Sequence, residues 1–428
     1  MIYAVKKRIV QLRQGKVPKG YKKSKLGIVP NDWNETAFST LFTSTSQYTD
    51  DLSRYPLYSL TIEDGITAKT ERYERSHLVK KENAYKVVRP GDYAYNPMNI
   101  RFGAVARHKG SVPVAVSGYY DIFTTVHEGD LAFMDSFLTS DSMITYYNKV
   151  STGSLIEKQR VHFSDFMEFS LALPPIEERK RIAEILAAQD RVIELLSRKI
   201  EQLKRLKKYY LRKMFPQHDK TEPEVRFPGF TGSWEKHQLG EIVGFSKGNG
   251  YSKADLKETG TPIILYGRLY TKYEMEVSDV DTFAMAKPGS VYSHGDEVIV
   301  PASGETAEDI AVASVVKQSG ILLGGDINIL TPSSDVDSLF MAISLSGGSA
   351  HGDVIKMAQG KSVVHLHQTD LRKVVLAYPT LSEQMRINGY FRNLERLIAL
   401  NQRKQDEEVR KKKALMQLLL TGIVRVNV

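Results

Sequence analysis

Three short stretches carry residue types that can do chemistry. Gln359-Gly360-Lys361-Ser362 ends like a phosphate-binding loop, in which backbone amides and a lysine cradle a nucleotide. The residue five before Gly360 is Ile355 rather than glycine, and β-branched Val363-Val364 follows where such a loop needs a helix. Tyr95-Asn96-Pro97-Met98 lacks the second proline and the aromatic residue of an Asn-Pro-Pro-aromatic grip on an extruded base, so a turn is the better reading. His365 and His367 fall on one side of a strand, a spacing that suits two zinc ligands, yet no neighbouring histidine or carboxylate completes a set. No pair of carboxylates stands out as an acid/base couple or a nuclease metal site. The absence of cysteine excludes thiolate zinc sites, disulfides and cysteine nucleophiles. These residues describe a binder.

Composition narrows what is bound. The chain of 428 residues carries 59 Lys and Arg against 50 Asp and Glu, a net charge of +9, which favours a polyanionic partner. No apolar run reaches the ~18 residues that cross a bilayer. The N-terminus has no apolar core segment and does not read as a secretory signal. A cytoplasmic location is therefore expected. Residues 1–25 hold nine Lys or Arg and no acid, a brief helix and basic linker that reads as a solvated tail, as an arm that contacts phosphates or as a piece docked beside the C-terminus.

The elements that position such a surface occur twice. A shift of 205 carries Asp165 onto Asp370, Pro174 onto Pro379, Glu178 onto Glu383, Arg181 onto Arg386 and Leu195 onto Leu400, without a gap over some fifty residues. Repetition on this scale means a chain built as two halves. Each half opens on a tryptophan segment, Val29-Pro30-Asn31-Asp32-Trp33 and Phe227-Pro228-Gly229-Phe230-Thr231-Gly232-Ser233-Trp234. Short β-branched runs with Gly and Asp punctuation follow, as in a mixed α/β domain; the interiors do not align residue for residue. Each half ends on a strand stopped by proline, then a long helix. Ile182, Ile185, Val192, Ile193, Leu196, Ile200, Leu203, Tyr210 and Met214 recur at steps of three and four, as do Ile387, Tyr390, Leu394, Leu397, Val409, Met416 and Leu419. Such stripes belong to helices that pack on each other. The expected fold is α/β (α+β): two globular domains and two long helices forming an antiparallel coiled coil with a pseudo-two-fold. The expected order is a basic segment 1–25, domain 26–176, helix 177–215, linker 216–225, domain 226–381, helix 382–420 and tail 421–428.

The helix onsets, Pro174-Pro175-Ile176-Glu177-Glu178-Arg179-Lys180-Arg181-Ile182 and Pro379-Thr380-Leu381-Ser382-Glu383-Gln384-Met385-Arg386-Ile387, resemble those of type I restriction–modification specificity (S) subunits. The helix ends and the Val-Pro-x-x-Trp and Phe-Pro-Gly-Phe-x-x-x-Trp openings share that resemblance, which runs from about Leu26 to the C-terminus. The basic segment ahead of Leu26 is longer than the family pattern. The resemblance implies a bacterial, non-catalytic DNA-recognition subunit whose two domains each read one half of a bipartite, asymmetric site. It implies that the paired helices set the spacer and dock two modification (methyltransferase) subunits, to which ATP-using restriction subunits (translocase/nuclease) can be added. S-adenosylmethionine, ATP and Mg²⁺ would then belong to those partners, with no cofactor in this chain. A helix of ~38 residues is roughly 57 Å long, matching ~17 base pairs at ~3.4 Å each. The rival readings are a nuclease or methyltransferase with an unrecognised site, and a coiled-coil adaptor that binds proteins only.

Candidate DNA contacts are polar or basic residues on glycine-flanked loops and final strands. They are Asn99, Arg101, Arg107, Lys158, Gln159 and Arg160 in the first half, and Lys247, Asn249, Arg268, Lys272, Lys361, His365 and His367 in the second. Arg and Lys pair with guanine, and Asn and Gln with adenine, in the major groove of double-stranded DNA.

Overall fold

The computed structural model of the chain describes residues 2–69, 84–155, 158–217, 220–360 and 363–426. Lys361 lies outside them. Two compact units emerge: residues 1–196 with 404–428, and residues 197–403. The division falls within the long helices, Ile176–Lys213 and Leu381–Leu419, so each unit takes part of both. Each helix starts one residue earlier than the spacing predicts.

In the first unit a four-stranded antiparallel sheet runs in the order Val105–Arg107, Tyr93–Tyr95, Asp121–Thr125, Phe42–Ser44. A three-stranded sheet, in the order Val114–Ser117, Tyr85–Val88, Tyr48–Thr49, lies beside it in sequence. The core is aromatic: Phe38, Phe42, Phe123 and Phe166 are fully enclosed, with ring centroids 5.0–5.8 Å apart. In the second unit five strands order as Val243–Lys247, Ile327–Pro332, Glu297–Pro301, Ser314–Val316, Glu276–Val277, the last pairing parallel. Helix Ser338–Gly347 packs on this sheet, and its residues 339–345 are all buried. A helix buried on every side shows no polar face, which is why periodicity did not reveal it. No helix among the described residues is long and apolar enough to cross a membrane.

Within each unit the two long helices run antiparallel. In the first, Ile182, Ala183 and Leu186 share a core with Leu415, Met416, Leu419 and Leu420. In the second, Tyr210, Met214 and Phe215 share one with Ile387, Tyr390 and Phe391. Burial on the first helix recurs at 182, 186, 189, 193, 196, 200 and 203, alternate steps of four and three that average 3.5. Val192, Leu397 and Val409 were placed in this seam by the sequence spacing. They lie outside it, 39%, 45% and 49% exposed, because each is one position away from the 3.5-residue repeat. Polar side chains interrupt the seam. Gln189 donates to the Glu408 carbonyl at 3.1 Å and to its carboxylate at 2.5 Å, a contact that penalises any other register.

The start of each long helix is held by the same device. Glu178 and Glu383 are both 1% exposed. Glu178 accepts from the Arg425 guanidinium at 2.7 and 2.8 Å and from the Trp33 indole at 3.2 Å. Glu383 accepts two bonds of 2.7 Å from Arg226. Each arginine follows the end of the other long helix. The strand after each tryptophan pairs with the strand before each helix, Asn34–Ala37 with Ser170–Leu173 and Glu235–Gln238 with Val375–Tyr378. The recurring Pro…Glu of the sequence is therefore a buried carboxylate awaiting a distant arginine.

The basic N-terminal helix, Ile2–Arg13, docks in the first unit beside the C-terminal residues, which agrees with one of the three sequence readings and not with a solvated tail. The Arg8 guanidinium donates to the Ile423 carbonyl and lies 5.0 Å over the Tyr21 ring, and the Tyr21 hydroxyl donates to the Gly422 carbonyl at 2.7 Å. Lys6, Lys7, Lys16, Lys19, Lys23 and Lys25 stay exposed.

Candidate nucleic-acid interface

The repeat reaches further upstream than residue identity alone revealed. Arg179 donates to the Asp130 carboxylate at 2.8 Å, ahead of helix Leu131–Phe137. Gln384, its counterpart, donates to the Asp335 carbonyl at 2.9 Å and accepts from the Asp337 amide at 2.8 Å, ahead of helix Ser338–Gly347. Asp130 and Asp335 are again 205 apart. From these points both units run helix, helix, hairpin, one-turn helix, strand and long helix. Different chemistry at matching positions hid the correspondence.

The hairpins bring several candidates together. Thr152 and Arg160 exchange two backbone bonds of 2.9 Å, and Gln359 and His365 exchange bonds of 2.9 and 2.7 Å. In the first unit Lys158 is exposed and Arg160 half-buried, and the Gln159 side-chain carbonyl accepts from Arg101, which is 6% exposed. Asn99 sits exposed on the adjoining turn, tied in through the Val161 amide bonded to Pro97 at 3.1 Å. In the second unit His365, which ends strand Val364–His365, and His367, just ahead of helix Gln368–Leu371, are both exposed, their rings 6.1 Å apart and nearly parallel. Lys247 is exposed at the end of strand Val243–Lys247.

Other candidates are engaged within the fold. Arg107 makes two bonds, of 2.9 and 2.8 Å, to Asp135. Burial raises the Asp135 carboxyl, but the Arg107 and Lys109 charges outweigh it and hold it below its usual value. Arg268 is clasped by Asp281, by Glu274 at 2.9 Å and by the Asp279 carbonyl at 3.0 Å, and Lys272 also pairs with Asp281 at 2.8 Å. These cations, Lys272 foremost, hold the Asp281 carboxyl far below the usual range. Asn249 donates to the Gly289 carbonyl at 3.1 Å. Their partners lie 6 to 40 residues away, set by the fold rather than by local sequence. Among the described residues no three His, Asp or Glu side chains converge as metal ligands.

The sequence model described as type I restriction modification DNA specificity domain matches residues 134–205, the first copy of this repeated run. The type I restriction enzyme MjaVIII specificity subunit of Methanocaldococcus jannaschii is 24% identical over 61% of this chain and 64% of that protein, so the match spans just under two thirds of it. The putative MjaX specificity subunit of the same organism is 23% identical over 95% of this chain and 97% of its own length. The chain is similar over nearly its whole length to a type I restriction specificity subunit. Two solved structures share the specificity-subunit fold. One comes from work on complex assembly and conformational transition of the type I R-M system (TM-score 0.55, 16% identity, 92% of this chain and 99% of that one). The other is the type I restriction-modification S subunit from M. genitalium (TM-score 0.50, 15% identity, 95% and 100%). In this chain the matched run covers the residues around Lys158, Gln159 and Arg160 and most of the first long helix.

Proposed function

We propose that this chain reads double-stranded DNA for a type I restriction–modification complex and performs no catalysis itself. Each unit takes one half of a bipartite, asymmetric site, and the long helices set the unread spacer. The observation that carries this reading is one repeated frame, from Asp130 and Asp335 onward, fronted by two dissimilar sheets. A repeated frame holds two readers alike, and unlike fronts let them read different bases. The rival enzyme reading and this one separate in a single experiment. Methylated positions are sequenced in cells expressing the chain with its methyltransferase partner, and the purified chain alone is given DNA with a methyl donor or Mg²⁺. The expected result is one split, asymmetric sequence in the cells and no turnover by the chain alone. Turnover by the chain alone would overturn it.

Two modification subunits, carrying the S-adenosylmethionine chemistry, dock along the helices; restriction subunits, with their ATP and Mg²⁺, join through them. The surface for this is repeated too. Val192 and Leu195 are 39% and 64% exposed on the first helix, and their counterparts Leu397 and Leu400 are 45% and 49% exposed on the second. Matching apolar pairs suit a partner that binds twice. Leu195→Glu with Leu400→Glu should weaken methyltransferase capture at least about tenfold, roughly 1.4 kcal/mol, and leave thermal unfolding of the isolated chain unchanged. Undiminished capture in a pull-down titration would remove these residues from the docking surface.

A further inference from the structure

We infer that the glycine-led hairpins Thr152–Arg160 and Gln359–His365 are the paired base-reading elements of the two units, an assignment that rests on the DNA-recognition reading above. In both, the residue after the closing backbone pair is glycine in the left-handed half of conformational space, Gly153 at φ +139° and Gly360 at φ +132°. A Cβ on Gly153 would lie 2.9 Å from the Lys158 carbonyl oxygen, and one on Gly360 would lie 2.1 Å from that of Val363. Only glycine lets the returning strand cross so closely. Each hairpin then leaves by the same route. Val161 and Leu366 are buried anchors, 1% and 0% exposed, whose amides bond to the Pro97 and Ala302 carbonyls at 3.1 and 2.9 Å. His162 and His367 precede the one-turn helices Phe163–Met167 and Gln368–Leu371.

The mounts are alike and the loops are not. The first hairpin has nine residues and the second seven. The first presents Leu155, 49% exposed, with Lys158 and Arg160; the second presents Val363, 53% exposed, with His365. Neither Lys158 nor Arg160 has a carboxylate partner among the described residues, whereas Arg107, Arg268 and Lys272 are each neutralised by one. A two-stranded ribbon fits the ~12 Å major groove, where Lys and Arg suit guanine and an exposed Leu or Val suits the thymine methyl. A rigid base with an exchangeable edge, whose cations meet no carboxylate among the described residues, is what a sequence reader requires.

The test uses the full chain assembled with its methyltransferase partner. One variant carries Leu155→Ala and Lys158→Ala, the other Val363→Ala and His365→Ala. All four side chains are exposed, so thermal unfolding of both variants should match the parent. Base preference is read from methylation of a randomised DNA library. Each variant should lose about tenfold to 100-fold of its discrimination at positions of one half-site, a different half for each, and keep the other half intact. Variants that retain parental preferences at both halves, while the parent selects a split site, would overturn the hairpin assignment alone. So would variants that each relax both halves. A parent complex that selects no split site would overturn the functional reading and the assignment together.

Discussion

Replacing Arg226 with alanine should destabilise the second unit by about 3–5 kcal/mol, the usual consequence of leaving a buried charge without its partner. Glu383 is 1% exposed and receives both of its strongest bonds from that guanidinium. The same arginine donates to the Gly232 and Thr231 carbonyls at 2.6 and 3.2 Å, so the turn leading to Trp234 loosens as well. Glu383→Gln in the Arg226→Ala background should recover much of the loss, since the orphaned charge is then gone. Thermal and urea unfolding of the four proteins forms a complete cycle. A single Arg226→Ala variant within about 1 kcal/mol of the parent, the range of an exposed ion pair, would show that the clamp is not what holds the helix start. Arg425→Ala should be milder. The Trp33 indole still donates to Glu178, and the Arg425 side chain is 36% exposed.

Exchange of residues 26–173 for the matching segment of another specificity subunit should replace one half of the recognised sequence completely and leave the other half and the spacer as they were. The second unit, residues 197–403, contains nothing from the exchanged segment, and its core is closed by its own strands and helix segments. The contacts that the new segment must reproduce are few and recurrent: a tryptophan ahead of the strand, an aspartate facing Arg179, and a strand end that meets the proline before the helix. Methylation sequencing of the hybrid complex reads the outcome. A hybrid that changes both halves would show that the units do not read independently.

The long helices were legible because their repeat is in residue identity, and the antiparallel pairing followed from it. Val192 and Leu397 were placed wrongly for a reason of period. A step of three or four fits both 3.6 and 3.5 residues per turn, and only the partner helix decides between them. The Arg226 and Arg425 clamps could not be read, because 157 and 247 residues separate them from their glutamates. Helix Ser338–Gly347 gave no amphipathic signal because it is buried on every side, and Leu131–Phe137, at seven residues, is too short to show one. Among the candidates, charge alone could not tell Arg268, consumed by its own acids, from Arg160. What separates them is the neighbour each meets after folding. The glycines at 153 and 360 carried the missing signal, each standing just ahead of an exposed hairpin.

The discontinuity of the first unit has a consequence for how the protein is made. The second unit is one uninterrupted run, whereas the first needs residues 404–428 to complete it. During translation at ~5–20 residues per second, the portion made earliest waits for about 200 further residues, on the order of 10–40 seconds, before its final strip of core emerges. Through that interval Ile182, Ala183 and Leu186 lack Leu419 and Leu420, and Glu178 lacks Arg425. The part synthesised first is the part that matures last.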